Sequence, residues 1–177
     1  HNPHPNWQRM YLDVGPPRLV DVRFFEAIAD EGWHETRSGL QVPSAQRDVP
    51  SRQPLLRTAL DPGETRTVYV RIASGNAIAV QAVAWTPRDF MAWEGRVDQV
   101  NMLQFGAIGL FALYALLIGL AARERVYFSF SLVLAAFGLY EAALHQYTHA
   151  WLWPTLPDWS MRSPGVLVAL GAAAFLW

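Results

Sequence analysis

The hydropathy of the chain changes character near residue 100. Before it, apolar and polar residues alternate in short runs broken by glycine and proline; beyond it, apolar residues run on almost unbroken. Alternation at period two is the pattern of a half-buried strand. It is clearest in Thr67–Ile72, TVYVRI, and returns in Ile78–Val83 after a Ser-Gly-Asn turn at 74–76. Gln8–Val14 and Leu19–Ala27 are earlier strand candidates, parted by the breaker Gly-Pro-Pro at 15–17. In DPGET at 61–65, Pro62 presets φ and Gly63 permits φ > 0, so a turn is expected. Residues 39–54 show little periodicity and read as a long loop. Short strands, Gly/Pro turns and few helix signals predict an all-β, antiparallel sandwich over residues 1–98, incomplete at its amino-terminal side.

The second half, 99–177, predicts a partial α-helical transmembrane bundle. Val100–Ala122 carries no charge at all. At ~1.5 Å per residue it spans the hydrocarbon layer of about 30 Å, and a helix apolar on every side for that length belongs in lipid. A second helix is expected at about 126–147, and a third at 164–177, where Ser163-Pro164 offers an N-cap followed by proline at the first helical position. The third covers only about 21 Å as a helix, so it is expected to stop inside the membrane. Ala115 and Gly119 form a small-xxx-small pair suited to close helix packing.

Charge sets the orientation. Beyond Val100 only Arg123, Glu124, Arg125, Glu141, Asp158 and Arg162 are charged. The Arg123–Arg125 turn is the most basic short loop and is expected on the cytoplasmic side, which puts the amino-terminal domain outside. Trp151, Trp153 and Trp159, beside prolines, have the composition of an aromatic interface belt, and Trp93 just before the first helix is expected to anchor there too. An exported domain ahead of a first helix calls for a signal peptide, and His1-Asn2-Pro3-His4 is not one. The chain is therefore read as an internal fragment.

Composition narrows the function classes. There is no cysteine, which excludes disulfides and thiolate metal sites. Net charge is −1 and no basic cluster appears, which argues against a nucleic-acid partner. All fourteen basic residues are Arg and none is Lys, a bias attributed to a GC-rich genome rather than to chemistry.

The motifs in order are Trp7, LVDVRFFE at 19–26, Gly32-Trp33, Ser38-Gly39, Pro43, Arg47 and VYVRIAS at 68–74. They lead into FGAIGLFALYALLIGLAARERVYFSFSLVLAAFGLYE and LWPTLPDW. In that order and spacing the chain resembles the bacterial seven-transmembrane receptors with diverse intracellular signalling modules. The resemblance covers nearly the whole length. It implies an extracellular jelly-roll domain similar to carbohydrate-binding modules, further helices, and a cytoplasmic diguanylate cyclase or histidine kinase in the parent protein. No catalytic constellation, cofactor or metal is expected in these residues. The implied location is a bacterial inner membrane, multi-pass, with the amino-terminal domain periplasmic or extracellular. Expected partners are the lipid bilayer and a small-molecule or carbohydrate ligand, with a homodimer left open.

Candidate chemistry is sparse. Glu141, His145 and His149 fall at i, i+4 and i+8, which would align them on one face of the second helix. Ionisable groups within a span are costly, so a proton-sensing stripe or a weak metal site are the sharp readings and a wet interfacial stripe the blander, favoured one. His1, His4 and His34 lack metal-ligand spacing. Trp7, Trp33, Trp85 and Trp93 are many large aromatics for one domain, and the favoured reading is that they fill the core or lie near the membrane. Trp33, in what reads as the exposed turn GlyTrpHisGlu, is the best candidate for stacking on a ligand, and Trp85 is a second. Arg47 in the aperiodic loop is a ligand candidate against a structural carbonyl contact or salt bridge, which is the favoured reading. A membrane-anchored binding or adhesion module is the competing function; part of a transporter is a weaker one.

Overall fold

The computed structural model describes the chain except residues 3–4, 29–31, 44–45 and 76–78, and the side chains of 28 and 157. His4, the end of the 74–76 turn and the start of the expected 78–83 strand lie outside the described residues. The chain divides into two units, His1–Glu94 and Gly95–Trp177.

In the first unit, period-two patterning becomes two three-stranded antiparallel sheets. One has the order β4 (Leu55–Leu60), β1 (Gln8–Asp13), β6 (Val83–Trp85); the other has β3 (Gly32–Ser38), β2 (Asp21–Ile28), β5 (Val68–Ala73). Alternation along β2 turns Val22 and Phe24 inward, where they meet Leu56 of the first sheet with Val14 and Leu19. Each such side chain, fully buried, contributes about 1.5–3 kcal/mol. Two apolar faces closed on one another make the all-β, sandwich-like architecture that the pattern predicts. Glu26 is polar on the inner face of β2: its carboxylate accepts from Thr58 Oγ1 at 2.9 Å, across the two sheets.

Three local differences from the sequence reading have clear causes. Gly32–Glu35 opens β3 instead of forming a turn; GWHETRS carries no alternating signal because polar residues occupy both of its faces. LLRTAL forms β4, paired along its whole length with β1. The strand expected at 78–83 is observed only over Val83–Trp85. The 61–65 turn forms as read, with Gly63 at φ 72° and Asn2 locked against it through Gly63 N–H to Asn2 O at 3.0 Å. Gly39 has φ 97°, and a Cβ there would lie 2.8 Å from the carbonyl oxygens of Leu19 and Val20. That close approach lets Leu40 and Gln41 donate to the same two carbonyls, so only glycine fits.

Helix α1 runs Pro87–Ala122, starting well before Val100. Thr86 is its cap: Thr86 Oγ1 accepts from Asp89 N–H at 3.2 Å, and Pro87 fills the first helical position. The unit boundary falls within this helix. Its first turns supply Phe90 to a second core of the first unit, with Val49 and Leu55.

In the second unit, α2 is Arg125–Leu144, α3 is Tyr147–Trp151 and α4 is Pro157–Leu176. Small residues set the packing. Ser131 Oγ donates to Ala112 O at 2.8 Å, and a Cβ on Gly138 would come 3.1 Å from Ile108 Cγ2. Ala115 is buried, and the space beside Gly119 is filled by Tyr127 and Phe128. Gly171 of α4 sits against the Ala136 Cβ of α2, and Ser129 Oγ donates to Ala174 O.

Two helix limits correct the sequence reading. The third long helix starts at Pro157, seven residues before Pro164, because Pro157 and Asp158 already provide a proline first turn and an acidic residue at the positive helix end. At 20 residues α4 is about 30 Å long, enough to cross the hydrocarbon layer. Pro164 is carried inside it. α2 ends at Leu144, since Gln146 takes a left-handed conformation, φ 65°. Among the described residues three helices are long and apolar enough to span a membrane.

Candidate functional site

Strand alternation decides which residues of β3-β2-β5 face solvent. Phe25 and Ala27 lie on the face opposite Val22 and Phe24. Their partners in register include Tyr69, opposite Phe25, and Trp33, opposite Ala27. Trp33 is 61% exposed and Tyr69 59%, and their rings meet edge-to-face with centroids 5.4 Å apart. An open groove of about 630 Å³ lies beside them, lined also by Ala27, Glu64, Thr65, Arg66 and Thr67. Arg66 is engaged there by Glu64 at 2.6 Å. Trp33 thus stands where a ligand could stack, with Tyr69 as a partner that the sequence reading did not single out. The signal was present: in VYVRIA, Tyr69 and Arg71 occupy the alternate face from Val68 and Ile72.

Arg47 and Trp85 are placed differently. Arg47 is buried, and its guanidinium donates to Val42 O at 3.1 Å, Ser51 O at 2.8 Å and Gly39 O at 3.0 Å. It ties the backbone at Gly39, Val42 and Ser51 together through their carbonyls. Burial pulls the guanidinium below its ordinary pKa. Trp85 stacks on Trp93 at 5.6 Å and meets Phe90 edge-on at 6.5 Å. Trp93, expected as an interface anchor, is part of an aromatic cluster on the Val49–Leu55–Phe90 core.

Beside that cluster lies a buried carboxylate, Asp13. Burial pushes its carboxyl above the usual range against the pull of the Gly15 N–H at 3.1 Å, and the neighbouring Glu94 charge pushes the same way.

The Glu141–His145–His149 stripe is divided by the break at Gln146. Glu141 and His145 remain neighbours, Oε2 to Nε2 3.9 Å, at the end of α2. His149 belongs to α3, is buried, and its Nδ1 lies 2.8 Å from Ser160 Oγ of α4. The three do not share one helix face. Among the described residues no group of three or more His, Cys, Asp or Glu could hold a metal ion.

Around the head of α3, Tyr147 Oη donates to Asp98 Oδ1 at 2.7 Å and accepts from Asn101 Nδ2 at 3.0 Å. Trp153 and Trp159 meet edge-on at 6.1 Å, while Trp151 is 68% exposed. Arg123, at φ 56°, and Arg125 form the exposed turn between α1 and α2.

Two family descriptions match the chain in succession: 7TMR-DISM extracellular 2 over residues 1–86 and 7TM diverse intracellular signalling over residues 98–177. No curated protein and no solved structure matches it. The first match covers the two-sheet unit and the second the membrane-spanning helices, so this is a multi-pass membrane protein with an extracellular sensor domain ahead of its membrane region. The order is that of a receptor, and the chain belongs to the seven-transmembrane receptors with diverse intracellular signalling modules.

Proposed function

We propose that this chain is the ligand-sensing and transmembrane part of a receptor in a bacterial inner membrane. The outer domain, jelly-roll-like, takes a small carbohydrate-like ligand on its exposed aromatic face. Binding biases the helices between two packings, and a cytoplasmic cyclase or histidine kinase of the parent protein reads the difference. The observation that carries this reading is the solvent-facing Trp33–Tyr69 platform on the unit matched as the extracellular domain. Large aromatics at a solvent-facing position cost hydrophobic free energy unless something covers them. The Arg123–Arg125 turn, as the most basic short loop, supports a cytoplasmic placement and an outer domain facing out.

Signalling requires that a ligand stabilise one helix packing over another; binding alone shifts nothing. The test uses the contact between α2 and α4. An ideal Cβ on Gly171 lies 3.6 Å from Ala136 Cβ, within the range a disulfide needs. The chain has no native cysteine, so the double variant Ala136→Cys/Gly171→Cys gives a single reportable cross-link. In membranes, an oligosaccharide bound by the outer domain should change the cross-linking rate by about twofold or more, since RT ln 2 is a shift of only ~0.4 kcal/mol. Ligand binding that leaves the rate unchanged would instead indicate an anchored binding or adhesion module.

A further inference from the structure

The register of β3-β2-β5 places three arginines in one row. Arg37 lies opposite Arg23, and Arg23 lies opposite Arg71. Alternation sets the row on the same solvent-facing side as Phe25, Trp33 and Tyr69. Like charges directly opposite on a sheet are destabilising, because paired Cβ atoms lie about 4.5–5.5 Å apart.

Two carboxylates offset part of this. Glu35 accepts from Arg37 Nε at 2.7 Å and lies 3.5 Å from Arg23 Nη1. Asp21 accepts from Arg23 Nε at 3.0 Å. The hydrogen bond from Arg37 holds the Glu35 carboxyl below its usual range. Arg71 is left over. Among the described residues its guanidinium makes no hydrogen bond or ion pair, and it acts on Glu35 only through space. Arg66, near the other end of the platform, differs in being held by Glu64.

The next row along the sheet is Glu35, Phe25 and Tyr69, and the one beyond contains Ala27 and Trp33. Rows two residues apart are separated by about 7 Å. An exposed guanidinium fork therefore stands one row from an exposed aromatic platform. An aromatic face takes the apolar C–H face of a sugar ring, and a guanidinium fork takes a carboxylate with two parallel hydrogen bonds. We infer that this sheet face binds a saccharide bearing a carboxylate, its ring on Trp33 and Tyr69 and its acid group on Arg71. The inference rests on the sensing function proposed above and names the ligand class of that site.

The test is calorimetric titration of the full chain in detergent micelles with trigalacturonate and with neutral galactotriose. The acidic trisaccharide should bind about tenfold more tightly, a difference of ~1.4 kcal/mol, and added salt should erode that preference. Arg71→Gln, an exposed substitution, should bring the acidic probe down to the neutral one and leave the neutral one unchanged. Trp33→Ala should weaken both, with near-ultraviolet circular dichroism confirming the fold. Equal binding of the two probes, or an acidic preference that survives Arg71→Gln, overturns the inference yet leaves a neutral-sugar sensor standing. Binding of neither probe by the unaltered chain also overturns it. The sensing function itself fails separately, through a cross-linking rate that ignores bound ligand.

Discussion

The Tyr147 hydroxyl lies 2.7 Å from Asp98 Oδ1 and donates to it. It joins the residue that restarts the chain after the Gln146 break to the polar part of α1, and it also accepts from the buried Asn101. Tyr147→Phe keeps the ring against Phe105 but removes both hydrogen bonds. Leaving Asn101 without this acceptor should cost about 1–3 kcal/mol. A thermal melt in detergent, followed by helical circular dichroism, should show the lower midpoint.

The approach of α2 to α1 depends on Gly138. Its hypothetical Cβ already meets the stiff, β-branched Ile108 at 3.1 Å. Gly138→Val should destabilise the helical unit by about 1–3 kcal/mol through overpacking. Adding Ile108→Ala to it should recover part of the loss, and a double variant no more stable than Gly138→Val would refute the steric account.

Arg47 is expected to matter for folding and not for ligand contact. Arg47→Met leaves three loop carbonyls without their donor, a loss of about 2–4 kcal/mol. Lysine should not rescue it, because one ammonium cannot reproduce the planar fork. Urea unfolding of the outer domain reads the loss; a ligand affinity changed in a fully folded Arg47→Met protein would argue against the assignment.

Asp13 makes a prediction about pH. Its folded pKa is raised above the ordinary 3.8, so the folded state holds the proton more tightly than the unfolded one. The stability it contributes is complete below the unfolded value and is lost as pH rises through the folded value. Asp13→Asn should therefore raise the melting temperature of the outer domain at neutral pH, with the gain fading as the medium is acidified toward 3.8. Glu35 and Glu64, both lowered, oppose this trend in acid, since their contribution is lost as pH falls through their folded values. The comparison of variant and parent at each pH isolates Asp13.

The membrane spans were legible because hydropathy over twenty residues outweighs any local signal. Their ends were less so. Ser163-Pro164 and Pro157-Asp158 both have the residues of a helix start, and the backbone is helical from the earlier one, with Ser160 N–H on Leu156 O at 3.1 Å. The Glu141–His149 alignment assumed one unbroken helix, and a single left-handed glutamine removed it. In the outer domain, β1, β2 and β5 were visible from their alternation, whereas β3, polar on both faces, and the short β4, where Leu55 and Leu56 are both buried and break the alternation, were not. Trp33 was identifiable as an exposed aromatic, but its partners Tyr69 and Arg71 depend on the register of β2 with β5, which pairs residues more than forty positions apart. Arg47 is a reminder that an arginine in an aperiodic loop can be what holds the loop together.

Sensing across a membrane requires the Trp33–Tyr69 face and the Arg123–Arg125 turn to lie on opposite sides of it. Because the chain lacks cysteine, single variants Thr65→Cys and Arg123→Cys can be labelled in intact cells with a membrane-impermeant maleimide. The account predicts labelling at residue 65 without permeabilisation of the inner membrane, and at residue 123 only after it. Labelling of both from the same side, or of residue 123 alone from outside, would contradict it.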